Sequence, residues 1–134
     1  MVCKIPNLWP ELSVAGSPVT PRAILQRQAQ VLSERSENTI CGEIVSRVLG
    51  PDLITTMHVV VPEMEGLRFF VIRVRHNIQY PYPLQVLFSE SDNSGKDCAS
   101  EAEFIELVRE LLRTPRIVNM VNSLLTQVGV VVGS

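Results

Sequence analysis

Between Thr39 and Ser89 the hydrophobic pattern has a period of two, in four runs separated by short turn signals. Period two builds half-buried strands, because successive side chains leave opposite sides of an extended backbone. Ile40, Ile44 and Val48 alternate with Cys41, Glu43 and Arg47, and Gly50-Pro51-Asp52 then turns the chain. A second run places Leu53, Met57, Val59 and Val61 on one side, with Thr56 and His58 on the other, before the Pro62–Gly66 loop. The third, Leu67–His76, groups Phe70, Ile72 and Val74 opposite Arg73 and Arg75, and the fourth, Leu84–Ser89, groups Leu84, Val86 and Phe88. Connections this short leave neighbouring strands antiparallel. The pattern therefore predicts a four-stranded antiparallel meander.

Helical patterns flank the meander. Thr20-Pro21-Arg22 opens the first: the threonine hydroxyl can accept a first-turn N–H, and proline at the first helical position gives up no bond. Ile24, Leu25, Ala29, Val31 and Leu32 form its apolar stripe, and the polar run Ser33–Asn38 ends it. Ser100 and Glu103 make a capping box, with Ala99 and Phe104 spaced as a hydrophobic staple, ahead of a helix that packs through Phe104, Ile105, Leu107, Val108, Leu111 and Leu112. Thr114-Pro115-Arg116 is predicted to stop that helix and cap the next as Thr20 does. The last helix, apolar through Ile117, Val118, Val121, Leu124, Leu125 and Val128, is predicted to cap at Gly129. The expected fold is α+β: an N-terminal helix, the meander, and two C-terminal helices packed on one face of the sheet. Residues 1–19, with Pro6, Pro10 and Pro18, read as an extended arm whose Leu8, Trp9 and Leu12 dock either on their own domain or over a partner subunit. Residues 20–128 form one domain and 129–134 a tail.

Composition bounds the function. The chain has 134 residues, enough to bury roughly two-thirds of its unfolded surface without a staple. Hydrophobic residues at 46% exclude a disordered chain. Twelve Lys plus Arg against fourteen Asp plus Glu leave no electrostatic attraction for nucleic acid, and no apolar run reaches the length of a membrane span. Cys3, Cys41 and Cys98 are three in number and widely spaced, which fits neither a disulfide framework nor a zinc site and points to reduced thiols. With no apolar leader stretch near Met1, cytoplasmic residence is expected.

Tyr80-Pro81-Tyr82-Pro83 runs directly into Leu84-Gln85-Val86-Leu87-Phe88. With the order helix, meander, two helices, this resembles the RWD and ubiquitin-conjugating-enzyme-like fold, whose members carry a Tyr-Pro turn ahead of their last strand. The resemblance spans residues 20–127. The conjugating enzymes' His-Pro-Asn tripeptide is missing between Ser89 and Ala99. The resemblance thus implies the scaffold without the ubiquitin chemistry.

Candidate chemistry is sparse. Cys98 precedes a helix, whose positive end favours thiolate, but Asp97, Glu101 and Glu103 oppose it. His58 and His76 make too small a set for a metal. Glu63 and Glu65 read as a solvated hairpin tip, and the Asp92–Asp97 loop departs from the EF-hand spacing. GxGxxG, HExxH and GxSxG do not occur, so no cofactor is implied. Against this stands an outward sheet side still carrying Val45, Ile54, Val60, Phe69, Val71 and Leu87. A wet side is more polar than that. The expected binding residues are Phe69, Val71, Arg73, Arg75, Tyr80, Tyr82 and Leu87, on a protein-contact surface for a partner or for a second copy in a homodimer. A register slip of one residue would turn the apolar members inward. A non-enzymatic adaptor is the first reading; a ligand carrier or small enzyme with a pocket between the sheet and the C-terminal helices, with Tyr80, Tyr82, Arg73 or His76 at its mouth, is the second; a piece of a larger assembly is the third.

Overall fold

A computed structural model describes residues 19–89 and 95–133, with side chains through 128. The proline-rich arm up to Pro18, and with it Leu8, Trp9 and Leu12, lies outside the described residues. In chain order the elements are α1 (Pro21–Arg35), β1 (Cys41–Leu49), β2 (Asp52–Val61), one 3-10 turn (Pro62–Met64), β3 (Leu67–Asn77), β4 (Leu84–Leu87), β5 (Gly95–Cys98), α2 (Glu101–Leu112) and α3 (Pro115–Gly133).

The strands form one antiparallel sheet in sequence order, β1-β2-β3-β4-β5. The class is α+β, but the sheet has five strands rather than four. β5 arises in a stretch expected to be an exposed loop: Gly95, Lys96, Asp97 and Cys98 pair with Leu87, Val86, Gln85 and Leu84. Its ladder is a backbone affair, because three of its four residues are exposed and only Cys98 is buried. The β1–β2 hairpin turns on two residues, Gly50 and Pro51, with Gly50 at φ +60° where a side chain would be strained.

One buried cluster joins all three helices to the sheet. It takes Ile24, Leu25 and Ala29 from α1, Met57, Val59 and Val61 from β2, Ile72 and Val74 from β3, Phe104, Leu107, Val108 and Leu111 from α2, and Ile117, Leu124 and Val128 from α3. The α1–β1 seam is unusually tight. A Cβ built on Gly42 would lie 2.4 Å from both Cα and Cβ of Ala29. Ser33 stitches the same seam, donating its hydroxyl to Ala29 O at 3.1 Å and accepting Gly42 N–H at 3.3 Å.

The helix ends show what side-chain chemistry does locally. Thr20 Oγ1 accepts Ala23 N–H at 3.2 Å, and Ser100 Oγ accepts Glu103 N–H at 3.3 Å. Thr114 departs from expectation. Its hydroxyl turns back to donate to Leu111 O at 2.7 Å, closing the end of α2, and only its carbonyl serves α3, by accepting Val118 N–H. Gly129 does not cap either: α3 runs on through Gly133, so residues 130–133 are helical. A run of apolar residues after a single glycine sustains the helix where a second breaker was needed to stop it.

Candidate functional site

β3 decides what the outer side of the sheet carries. The β2–β3 register shifts between Met57, opposite Ile72, and His58, opposite Phe70, so Val71 is an extra residue with no partner across the ladder. Such a bulge lets two consecutive side chains sit differently from strict alternation. Val71 and Ile72 are both 1% exposed, and Phe69 packs against the core cluster. Arg116 of α3 donates to the bulged Val71 carbonyl at 3.2 Å, replacing the missing ladder bond. Phe69 and Val71 are therefore removed from the expected outward patch, and Phe70, expected inside, moves outward in their place.

On that outer side Phe70 organises a small polar–aromatic group. Its ring meets His58 edge-on at 6.2 Å between centroids, and the Arg73 guanidinium lies 5.5 Å from the ring centre. Arg73 Nε also donates to Thr56 Oγ1 at 3.1 Å, fixing the cation over the ring rather than leaving it to swing. Leu87 stands opposite Arg73 on β4. Around this centre, Arg75 pairs with Asp52 at 2.7 Å and Arg68 grips Glu43 with two bonds, 2.7 and 3.1 Å. The bond from Arg68 holds the Glu43 carboxyl below its ordinary range. Exposed pairs like these add specificity more than stability.

Of the other expected site residues, Tyr80 is exposed at the turn and is not joined to this group. Tyr82 packs against the core cluster and donates its hydroxyl to Val19 O at 2.9 Å, tying the turn to the start of α1; the Tyr82–Pro83 peptide is cis. Burial, reinforced by Glu101 and Cys98, pushes its phenol up to about 12 from an ordinary 10.0. A neutral phenol favoured by the fold contributes stability in full below pH 10 and loses it as pH rises through 12. Tyr82→Phe is thus expected to be less stable than the parent at pH 7 by about 1 kcal/mol, from the lost bond. The difference should close and then change sign between pH 10 and 12, because a shift of that size outweighs the lost bond, followed by chemical denaturation across that range. A gap that stays constant with pH would contradict it.

The remaining candidates for chemistry are answered by burial. Cys98 is 1% exposed, and burial together with Glu103 raises its thiol, so the group is held protonated and away from reagents. Glu63 and Glu65 are both exposed. His76, whose position at a strand end gave no signal, is buried between Leu53 and Leu84. Its Nδ1 faces the Asn77 carbonyl at 2.8 Å and must carry the proton, since a carbonyl only accepts; Nε2 is buried without a hydrogen-bond partner among the described residues. His58 does face outward, as alternation predicts. Among the described residues no three His, Cys, Asp or Glu side chains gather to hold a metal ion, and no helix is long and apolar enough to cross a membrane.

A cavity of about 270 Å³ lies between α1, the sheet and the start of α3, lined mainly by apolar groups including Val31, Met57, Val59, Ile117 and Val121. Its mouth differs from the expected one. Tyr80, Tyr82, Arg73 and His76 do not line it; Gln28, Arg35 and Asn122 supply its polar rim.

Compared with known proteins, the chain matches no family model, no curated protein and no solved structure.

Proposed function

We propose that this chain is a non-enzymatic protein-interaction module of the cytoplasm, on an RWD-like scaffold in which all three helices shield one side of the sheet and the other side meets a protein partner. The observation that carries this reading is the Arg73–Phe70–His58 group, anchored by Thr56 on the side away from the core cluster and bordered by Val45 and Leu87. An arginine held over an aromatic ring has already lost its rotamer freedom, which lowers the entropy cost of burying it against a partner. Arginine and aromatic side chains at the centre of a patch are also where binding energy concentrates. The buried, protonated Cys98 supports the non-enzymatic half of the reading.

The test compares capture by the immobilised parent with capture by an Arg73→Glu/Leu87→Asp variant and by an Asn119→Asp control at an exposed position of α3. A partner retained by the parent and the control but lost by the sheet variant is the expected result. The same proteins retained by all three would overturn it.

A second reading is favoured by the cavity: an apolar ligand of modest size held between α1, β2 and α3. Thermal-shift screening against apolar metabolites separates the two. A stabilising hit abolished by Val121→Trp, which fills the cavity, would favour the carrier.

A further inference from the structure

We propose that two copies of this chain join edge to edge through β1, antiparallel about a twofold axis at Val45. This contact runs along the sheet's edge and shares only its Val45–Glu43 margin with the Arg73 surface. Its test changes Glu43, Arg47 or Val45 and leaves Arg73 and Leu87 in place, so its failure and that of the reading above are distinguishable.

The two sheet edges are unlike. β5 is four residues long and carries Lys96 and Asp97, the short charged edge that discourages pairing. β1 is nine residues long, contains neither lysine nor proline, and among the described residues pairs only with β2. Val45, Val48 and Leu49 on this strand are 48%, 66% and 47% exposed. Ser33 of α1 takes the Gly42 amide, and from Ile44 to Val48 the edge is open among the described residues, a template for another strand.

The backbone parity selects which residues reach outward. Ile40 and Gly42 turn their amides to Ser36 and Ser33 on the helix side rather than to β2. Leu49, Arg47, Val45 and Glu43, from the tight hairpin onward, take the alternate phase, opposite Asp52, Ile54, Thr56 and His58. Antiparallel ladders alternate, so Ile44 and Ser46 present their N–H and C=O groups to the open edge.

Side chains then select the register. With Val45 opposite itself, Ile44 of one copy meets Ser46 of the other in a hydrogen-bonded pair, twice over. Glu43 of each copy falls opposite Arg47 of the other, at the non-hydrogen-bonded positions where side chains come nearest. Slipping by two residues sets Glu43 against Val45 or Leu49 and leaves Arg47 against Cys41 or Val45. Slipping by four sets Glu43 against Glu43, or Arg47 against Arg47. Arg47 is exposed and has no ion-pair partner among the described residues. Glu43 already holds Arg68, yet each of its oxygens takes one bond there and keeps a lone pair for a second donor. The strand is thus complementary to itself in one register only.

The experiment is sedimentation of the full chain at about 100 μM, above the micromolar limit of ordinary interfaces. The parent is expected at twice 14.9 kDa. Arg47→Glu and Glu43→Arg, each alone, should bring like charges together and weaken the dimer about a hundredfold or more. Mixed in equal amounts they restore both opposite-charge pairs, and the mixture should sediment as a dimer. Should Glu43→Arg fail to fold once Arg68 loses its partner, Val45→Lys serves instead, placing like charges together at the axis on a half-exposed position. A monomeric parent overturns the proposal, as does a dimer that survives all three substitutions, or a charge-swapped mixture that stays monomeric. Slow amide exchange at Ile44 and Ser46 in a monomeric parent would assign the edge to another segment of the same chain, and would equally overturn it.

Discussion

Gly42→Ala is expected to destabilise the protein by about 3 kcal/mol, a large share of the roughly 5–15 kcal/mol available to a domain of this size. The new methyl group would lie 2.4 Å from the Cα and Cβ of Ala29 and 3.0 Å from its carbonyl oxygen. Carbon atoms in contact sit about 3.5–4.0 Å apart, so α1 must lift away from β1 by more than an ångström. No rotamer change relieves a clash with backbone. Lifting α1 also opens the bond from Gly42 N–H to Ser33 Oγ across the seam and exposes Leu25, which is fully buried. Urea denaturation measures the loss as a lowered midpoint at unchanged slope. Two comparisons isolate the cause. Gly50→Ala meets nothing within 4 Å and should cost only the strain of its positive φ, about 1 kcal/mol. Ala29→Gly in the Gly42→Ala background removes a methyl but leaves the clash with the helix backbone, so it should rescue little. A Gly42→Ala protein within about 0.5 kcal/mol of the parent would show that the seam is looser than its geometry.

The tight seam had no signature in the amino-acid string. Gly42 stands between Cys41 and Glu43 in a strand read from alternation alone, and alternation says which side a residue faces but not how near the next layer comes. What could be read were features whose physics is local: the threonine and proline at Thr20-Pro21, the Ser100–Glu103 box, and the two-residue turn at Gly50-Pro51. β5 was illegible because a strand held by backbone bonds to β4 needs no apolar alternation, and Gly-Lys-Asp-Cys has none. Thr114 shows the limit from another direction. The same Thr-Pro-Arg triplet caps a helix start at Thr20 and a helix end at Thr114, because at Thr114 the Leu111 carbonyl of the preceding helix lies within the hydroxyl's reach and accepts it alongside the Thr114 N–H.

The outer-side group was half legible for a related reason. Arg73 and Arg75 alternate with Val74, and their side of β3 could be assigned without ambiguity. Phe69, Phe70, Val71 and Ile72 are four apolar residues in a row, and a period of two cannot be phased across such a run. The bulge at Val71 falls inside it and exchanges Phe69 for Phe70. The phase accompanies tertiary contacts: Phe69, Val71 and Ile72 all pack into the core, and Arg116, 45 residues further along the chain, donates to the Val71 carbonyl. A bulge placed in a charged segment would have broken the pattern visibly; one placed among apolar residues does not.

Phe104→Ala is expected to cost about 3–5 kcal/mol and to lower the melting temperature by roughly 10–20 °C. Phe104 is 0% exposed and is the largest of the fully buried side chains, seated in the first turn of α2. Its position is set by the cap in front of it. Ser100 accepts the Glu103 amide, Glu103 Oε2 accepts Ala99 N–H at 2.7 Å, and Phe104 N–H bonds Ser100 O, so the ring enters the core at an angle the cap dictates. β5 ends at Cys98, two residues before Ser100, and Cys98 is the strand's one buried side chain, a member of the same core cluster as the ring. Ser100→Ala removes the cap alone and should cost about 1 kcal/mol. If the core holds this junction, Phe104→Ala exceeds Ser100→Ala severalfold, and amide exchange across β5 quickens far more in the former. Equal costs for the two would mean that the cap, and not the ring, fixes α2 against the sheet. The fifth strand would then depend on the Ser100 hydroxyl rather than on hydrophobic burial.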